Sequence, residues 1–275
     1  MIPTGLVGGV HDPDHYSANW NHPMRFYQKL SLLLAGLGAG MVHAQALEQV
    51  GTKNWTYTLT PYAWAASLSG DVSVFGAPKA HVNSSFSSLK KDLDFAGMLV
   101  GTARKDRLGV FADITYIKAS AGASLPAGLP VRQVRLGAKA FTAMLGGGYA
   151  VWYGEHGHID LLGAVRYWDV NATLTLEGGY FNHLERKDGD NWADALVGLR
   201  GVRYLTDQIY VSGWALAGGG GSKFSWDVAA GLGYRFNSTF SAQLGYRALG
   251  VDYSRNRFHY KMVHKGPAVG LTWRF

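Results

Sequence analysis

From residue 55 to residue 275 the chain alternates. Apolar residues recur at every second position, which is the period of a strand and not of a helix. In 224–236, Trp226, Val228, Ala230, Leu232, Tyr234 and Phe236 share one face, and Asp227, Ala229, Gly231, Gly233 and Arg235 share the other. Phe240, Ala242, Leu244 and Tyr246 oppose Ser241, Gln243, Gly245 and Arg247 in the same way. So do Leu108, Val110, Ala112, Ile114 and Tyr116 against Gly109, Phe111, Asp113 and Thr115. In 131–144, Val134, Leu136, Ala138 and Ala140 oppose Gln133, Arg135, Gly137 and Lys139. Ten such stretches can be drawn, at about 55–66, 94–105, 107–118, 131–152, 158–176, 192–205, 208–218, 224–236, 239–253 and 258–275.

The segments between them alternate in length. The longer ones are 67–93, 119–130 and 177–191, then the smaller 218–223 and 254–257; the shorter ones lie at Asp106, 153–157, Thr206-Asp207 and Asn237-Ser238. Short turns at one end and long loops at the other are how a transmembrane barrel is wound. A strand of ~10 residues rises ~33 Å, or ~25 Å when tilted by ~40°, the height of the apolar band of such barrels. Charges and glycines collect on one face and oily residues on the other. This predicts an all-β, closed antiparallel transmembrane β-barrel of 10 strands, with 8 or 12 as alternatives, lipid outside and ionic side chains inside. An even count puts both ends of the barrel at its short-turn, periplasmic side. A soluble sandwich would turn its charges outward instead. Pro61 and Pro267 interrupt the first and last stretches, which are neighbours in a closed barrel, so both prolines are expected at the closing seam.

Composition narrows the class. With 37 Gly, 13% aromatics and no Cys, the chain suits close-packed strands with interfacial rings, and it has no disulfide or thiolate chemistry. No uncharged run from Trp55 onward reaches the ~18 residues of a spanning helix. Net charge is +7. The basic residues are scattered singly, which favours internal ion pairs and anionic lipopolysaccharide over nucleic acid. Near the N-terminus, Arg25 and Lys29 precede an apolar stretch from Leu30 to Val42, followed by Ala44-Gln45-Ala46. That order describes a cleaved secretory signal peptide over 24–46. Residues 1–23 resemble no part of a signal and are expected to be an extension or mis-assigned start ahead of Met24. Residues 47–275 form the single expected domain.

The C-terminus carries a resemblance. Val269, Leu271, Trp273 and Phe275 alternate with Ala268, Gly270, Thr272 and Arg274. Leu271, Trp273 and the terminal Phe275 look like the C-terminal signature of bacterial outer-membrane barrels that their assembly machinery reads. More widely, residues 55–275 resemble a family of small, largely uncharacterised Gram-negative outer-membrane barrel proteins of porin or surface-barrel type. The resemblance is carried by Thr60-Pro-Tyr-Ala-Trp64, Leu68-Ser-Gly-Asp-Val-Ser-Val74, Phe111-Ala-Asp-Ile-Thr-Tyr116, Gly163-Ala-Val-Arg-Tyr-Trp-Asp169, Asn191-Trp-Ala-Asp194, Gly231-Leu-Gly-Tyr-Arg-Phe236, Leu244-Gly-Tyr-Arg247 and Val251-Asp-Tyr253. It implies an outer-membrane location after export, contact with outer-membrane lipids and lipopolysaccharide, and use of the barrel-assembly machinery. It says little about activity. Relatives tend to place an acid and an aromatic in the fourth outer loop, where this chain has Gly218-Gly-Gly-Gly-Ser-Lys223.

No zinc-protease motif, nucleophile elbow or phosphate loop is present. His156 and His158 sit at a short turn without a third ligand, so solvated histidines are expected there rather than a metal pair. No cofactor is expected. A ten-strand barrel is near the size that side chains can fill. Asp113, Lys139, Asp160, Arg166, Asp194, Arg200, Asp227, Arg235, Arg247 and Arg274 are the expected lumen charges. They would form either a structural ion-pair network or the lining of a narrow passage. The main expectation is a non-enzymatic, monomeric barrel with a structural or surface role, or a narrow solute passage. The alternative is an outer-membrane enzyme, omptin-like or lipid-modifying, with Asp92, Asp94, His183 and Asp188 converging at the extracellular rim to activate water.

Overall fold

A computed structural model describes residues 53–125, 131–178 and 181–275; the expected signal segment and the 1–23 extension lie outside them. The described residues form twelve β-strands and one short helix. The strands are β1 (Thr56–Trp64), β2 (Ser67–Ser73), β3 (Ala80–Ser84), β4 (Leu93–Lys105), β5 (Leu108–Ser124), β6 (Gln133–Gly154), β7 (Gly157–Gly178), β8 (Phe181–Tyr204), β9 (Ile209–Gly220), β10 (Phe224–Arg235), β11 (Phe240–Arg255) and β12 (Phe258–Arg274), and the helix is α1 (Phe86–Leu89).

Ten staves close the barrel. β4 to β12 pair as consecutive antiparallel neighbours, and β1 pairs with both β4 and β12. β1 and β2 are one stave: their partners on β12 keep a single register, from Thr58 opposite Arg274 to Ser67 opposite Lys265. The backbone N–H of Ala65 donates to the carbonyl of Pro267 at 2.9 Å in the gap between them. The segment 67–93, expected as a loop, thus holds β2, the β2–β3 hairpin and α1. The described residues of 177–191 are likewise strand, because β7 and β8 pair up to Gly178 opposite Phe181.

Both prolines fall on the closing seam. Tyr57 exchanges backbone hydrogen bonds with Phe275, so odd-numbered β1 residues point their polar edge at β12. Pro61 therefore removes a donor from the β1–β12 ladder, whose pairing skips from Leu59–Trp273 to Tyr62–Gly270. A hydroxyl contact between Thr60 and Thr272 at 3.0 Å fills the skip. Pro267 accepts from Ala65 and can return nothing. On its other edge β1 pairs with β4 only as far as Pro61 opposite Leu99.

The outward face is a band bounded by rings. At the periplasmic end lie Trp55, Tyr57, Tyr149, Tyr153, Tyr234, Phe236, Phe240, Trp273 and Phe275, all exposed. At the other edge Phe95 lies 6.0 Å from Tyr116, and Phe141 lies 6.5 Å from Tyr167. Between them Val110, Ile114, Leu145, Val165, Val197, Leu199, Val228, Leu232, Leu244, Val269 and Leu271 stand exposed. Water would not tolerate such a belt; hydrocarbon would, with ring amphiphiles at its two edges. At the periplasmic turn Arg107 lies over Tyr153, 4.4 Å from the ring centroid. Hydrogen bonding to Tyr153, then Tyr149, raises its pKa from the ordinary arginine value.

Above the upper ring the polarity of the wall reverses. Lys118 and Lys139 pair across β5 and β6 and face outward, while Ile117, Leu136, Ala138 and Ala140 face in and are buried. The interior there is an apolar core with Trp64, Leu68, Val72, Val82, Trp168, Val170, Trp192, Tyr253, Tyr260 and Met262. The expected inward face of 131–144 is therefore corrected. Val134, Leu136, Ala138 and Ala140 are the inner residues, and Lys139 stands outside, because this part of β6 has risen out of the lipid into water.

Candidate functional site

Inside the membrane band the lumen is crossed by charge. Asp227 on β10 is the hub. Its carboxylate accepts from Arg247 Nε at 2.6 Å and Trp214 Nε1 at 3.1 Å, and it also pairs with Nη2 of Arg247 and Nη2 of Arg166. Arg166 reaches it from β7, and its Nη2 touches Met144 Sδ at 3.2 Å. Arg247 on β11 extends further, to 4.0 Å from Asp113 on β5. Tyr62 on β1 donates to Asp113 at 3.3 Å and lies 3.0 Å from the Thr115 hydroxyl. The chain β5–β11–β10–β7 thus crosses the barrel and links walls that are not neighbours in the sheet. Exposure is 4% at Asp113, 2% at Arg166, 0% at Asp227 and 1% at Arg247. Two acids face two guanidiniums, so the layer is neutral, as burial demands. The Arg247 guanidinium also lies over Trp64 and Trp214, at 5.5 and 5.3 Å from the ring centroids, which roofs it with π-faces.

A second layer lies nearer the periplasm. Arg104 on β4 pairs with Asp160 on β7, and His158 Nε2 stands 3.7 Å from the same carboxylate. Arg200 lies over Phe111, 6.0 Å from its centroid. His158 is buried, which corrects the expectation of a solvated turn histidine; its side chain points inward with the even-numbered residues of β7, whereas His156 is exposed. On the β9–β11 side of the lumen, Gln243 donates to Ser212 at 2.7 Å.

The other expected lumen charges take separate places. Asp194 is buried but accepts from the backbone of Ser222 at 2.7 Å, pinning the fourth outer loop. Arg235 lies at the periplasmic mouth, where it donates to the Asp207 carbonyl and sits over Tyr204. Arg274 is half-buried at the same end. Leu271, Trp273 and Phe275 all face outward beside the seam, with Phe275 stacked on Tyr57 at 5.9 Å. Arg104, Tyr62, His158 and His264 were absent from the expected set. Arg104 shares a face with Val100 and Thr102, a parity signal that its position beside a turn disguises.

The extracellular rim does not bring the expected acid and His groups together. Asp188 accepts from the backbone of Phe75, docking the β2–β3 hairpin on β8. Asp94 accepts from Ser120 at 2.8 Å. His183 lies 3.9 Å from both Glu177 and Glu185, and Glu185 pairs with Lys187 at 2.8 Å. Asp92 is half-exposed and contributes only backbone bonds. Among the described residues, no group of three or more His, Asp or Glu side chains is placed to hold a metal.

These features define a class: a closed, antiparallel, ten-stave barrel with an outward apolar band, which is the architecture of the Gram-negative outer-membrane β-barrels. The solved structures that it resembles are of that kind. The outer-membrane protease OmpT from Escherichia coli superposes with a TM-score of 0.50 at 10% identity, covering 84% of this chain and 99% of that one. The transport unit of the E. coli autotransporter AIDA-I gives a TM-score of 0.42 at 9% identity over 92% and 97% of the two chains. Ail, the attachment invasion locus protein of Yersinia pestis, gives 0.32 at 10% identity over 82% and 100%. At such identities the likeness is one of fold alone. No protein-family model matches the chain, and no curated protein matches its sequence.

Proposed function

We propose that this chain is a non-enzymatic, monomeric barrel of the Gram-negative outer membrane whose lumen is closed to solutes and whose working surface is its extracellular end. One observation carries the reading: the Asp113–Arg247–Asp227–Arg166 layer ties opposite walls together with side chains that water hardly reaches. A ten-strand barrel has little lumen to spare, and long arginines occupy it. The apolar core above the layer adds a second obstruction. Export through a cleaved signal, insertion by the barrel-assembly machinery and contact with lipopolysaccharide belong to the same proposal. The separate engagement of Asp94, His183 and Asp188 supports the absence of a water-activating site at the rim. The test is conductance. Folded wild-type protein in planar bilayers is expected to be silent, and an Arg166→Ala/Arg247→Ala double variant to conduct. Discrete conductance steps from the wild type would overturn the proposal in favour of a narrow pore.

A further inference from the structure

The lipid-facing wall is hollowed near its periplasmic edge. Ile159, Gly201, Gly213, Ala230 and Tyr246 lie opposite one another in a single row across β7 to β11. Three neighbouring positions of that row carry at most a methyl group, while Ile159 and Tyr246 at its two ends carry full side chains. The rows on either side stand higher: Leu199 and Val228 lie above the gap, Val211 and Leu232 below it, all of them exposed. With strands ~4.8 Å apart, three such positions open a groove ~10 Å wide. A hollow of about 790 Å³ lies there, bordered by the outward side chains of Trp152, Ile159, Leu199 and Val211.

The foot of the hollow is charged. Arg203 is the next outward position below Gly201 on β8, opposite Val211. It is exposed, and among the described residues its guanidinium has no ion-pair or hydrogen-bond partner. The acids of the two flanking turns, Glu155 and Asp207, make no ion pair with it. Strand β8 ends at Tyr204, so Arg203 stands at the depth of the lipid headgroups. Gly201 is ~7 Å further in, within hydrocarbon.

A concave apolar surface in hydrocarbon does not stay empty, because its lining would forfeit dispersion contacts. A lipid chain and a second copy of the barrel are the two kinds of occupant to weigh. Two copies related by a two-fold axis along the membrane normal meet at equal heights. Hollow would then face hollow, and Arg203 would face Arg203. That contact leaves the gap unfilled and brings two cations together. A phospholipid supplies a flexible chain for the hollow and an anionic phosphate for the guanidinium, whose fork suits it.

We infer that this hollow holds one glycerophospholipid of the periplasmic leaflet, with an acyl chain along Gly201, Gly213 and Ala230 and the phosphate on Arg203. Any chain of the leaflet enters the groove; the phosphate on Arg203 is what makes one lipid stay. The site goes beyond the surface role proposed above and is independent of whether the lumen is closed.

The experiment is native mass spectrometry of the processed barrel released from detergent micelles. Three probes are titrated separately: phosphatidylglycerol, the diacylglycerol with the same chains, and glycerol 3-phosphate. One phosphatidylglycerol per barrel is expected to bind saturably, about tenfold or more tighter than the diacylglycerol, the worth of one hydrogen bond to a charged group. Glycerol 3-phosphate, a phosphate without chains, is expected not to bind. Arg203→Gln is expected to bring phosphatidylglycerol down to the level of the diacylglycerol. Ala230→Leu, at an outward position, is expected to fill the groove and weaken both lipids. Heat-modifiable mobility checks that each variant is folded. Four results overturn the inference: the two lipids bind the wild type alike; either variant leaves phosphatidylglycerol binding unchanged; glycerol 3-phosphate binds as tightly as the lipid; or the barrel leaves the micelle as a dimer that Val211→Cys crosslinks, which makes the occupant a second copy.

Discussion

Asp227→Asn is the sharpest test of the lumen. The substitution exchanges one carboxylate oxygen for an NH2 group and hardly alters the volume. In the wild type the carboxylate receives four donors, two from Arg247 and one each from Arg166 and Trp214. An amide oxygen can still serve Trp214 and one arginine, but the amide nitrogen then points a donor at a guanidinium. Two buried cations are left with Asp113 as the nearest acid, and it lies 4.0 Å from Arg247 alone. Removing one partner of a buried pair costs about 3–5 kcal/mol, and stranding two cations places this variant near the upper end. The assay is reversible urea unfolding from lipid vesicles, followed by tryptophan emission. A midpoint that moves by less than about 1 kcal/mol would refute the claim that the layer is dry and coupled. A second variant guards the reasoning: Arg166→Met added to Asp227→Asn removes one stranded cation, so the double variant is expected to be more stable than the single. If the two costs simply add, the network is not the unit described here.

Other expectations follow from the wall and the seam. Leu244→Arg puts a charge near the middle of the lipid face of β11 and is expected to cost about 2–4 kcal/mol in vesicles, whereas an arginine at the exposed Lys139 position above the upper ring is expected to cost nothing measurable. A Cβ at Gly233 would come within 1.8 Å of the Tyr210 ring, so Gly233→Ala is expected to lose about 1–3 kcal/mol, recovered in part by Tyr210→Leu; no loss would mean the ring is not seated as described. With Pro61 and Pro267 both deleting donors from one ladder, amide exchange at Tyr57, Ala63 and Ala65 is expected to outpace that at the facing residues of β6 and β7; equal protection would show a seam as strong as the rest. Removal of Phe275, which stacks on Tyr57 at the seam, is expected to lower the folded fraction in outer-membrane fractions of a Gram-negative host, measured by heat-modifiable mobility.

The architecture was legible because lipid enforces a single rule over each spanning stretch. In β5, β10 and β11 the expected faces are the observed ones, and a one-residue slip there would drive Asp113, Asp227 or Arg247 into hydrocarbon. The strand ends agree within a few residues at the short turns, where the chain must reverse at the membrane edge. They disagree at the other end, by more than ten residues in β8. There 177–191 reads as loop because both faces of the hairpin are polar, so alternation leaves no trace in composition. The β2–β3 hairpin was hidden for a related reason: its pairing depends on β12 carrying on past Pro267, a contact between residues nearly two hundred positions apart.

β6 shows why parity cannot be read without height. Phe141 and Leu145 face lipid, and two residues above Phe141 the outward position is Lys139. The backbone alternation does not change between them; the medium does. Below the ring of Phe95, Tyr116, Phe141 and Tyr167 the oily face must be outside, and above it the oily face must be inside, since water now surrounds the wall and the core lies within. A rule that assigns charge to the lumen therefore succeeds for Asp113 and Arg166 and fails for Lys139 on the same sheet. The inversion also explains why the upper interior holds Trp168, Trp192 and Tyr253. Freed from lining a lipid-spanning wall, the upper barrel packs like a soluble domain. Among the described residues, the wall over that core is cut short between β8 and β11, where the β9–β10 hairpin turns early.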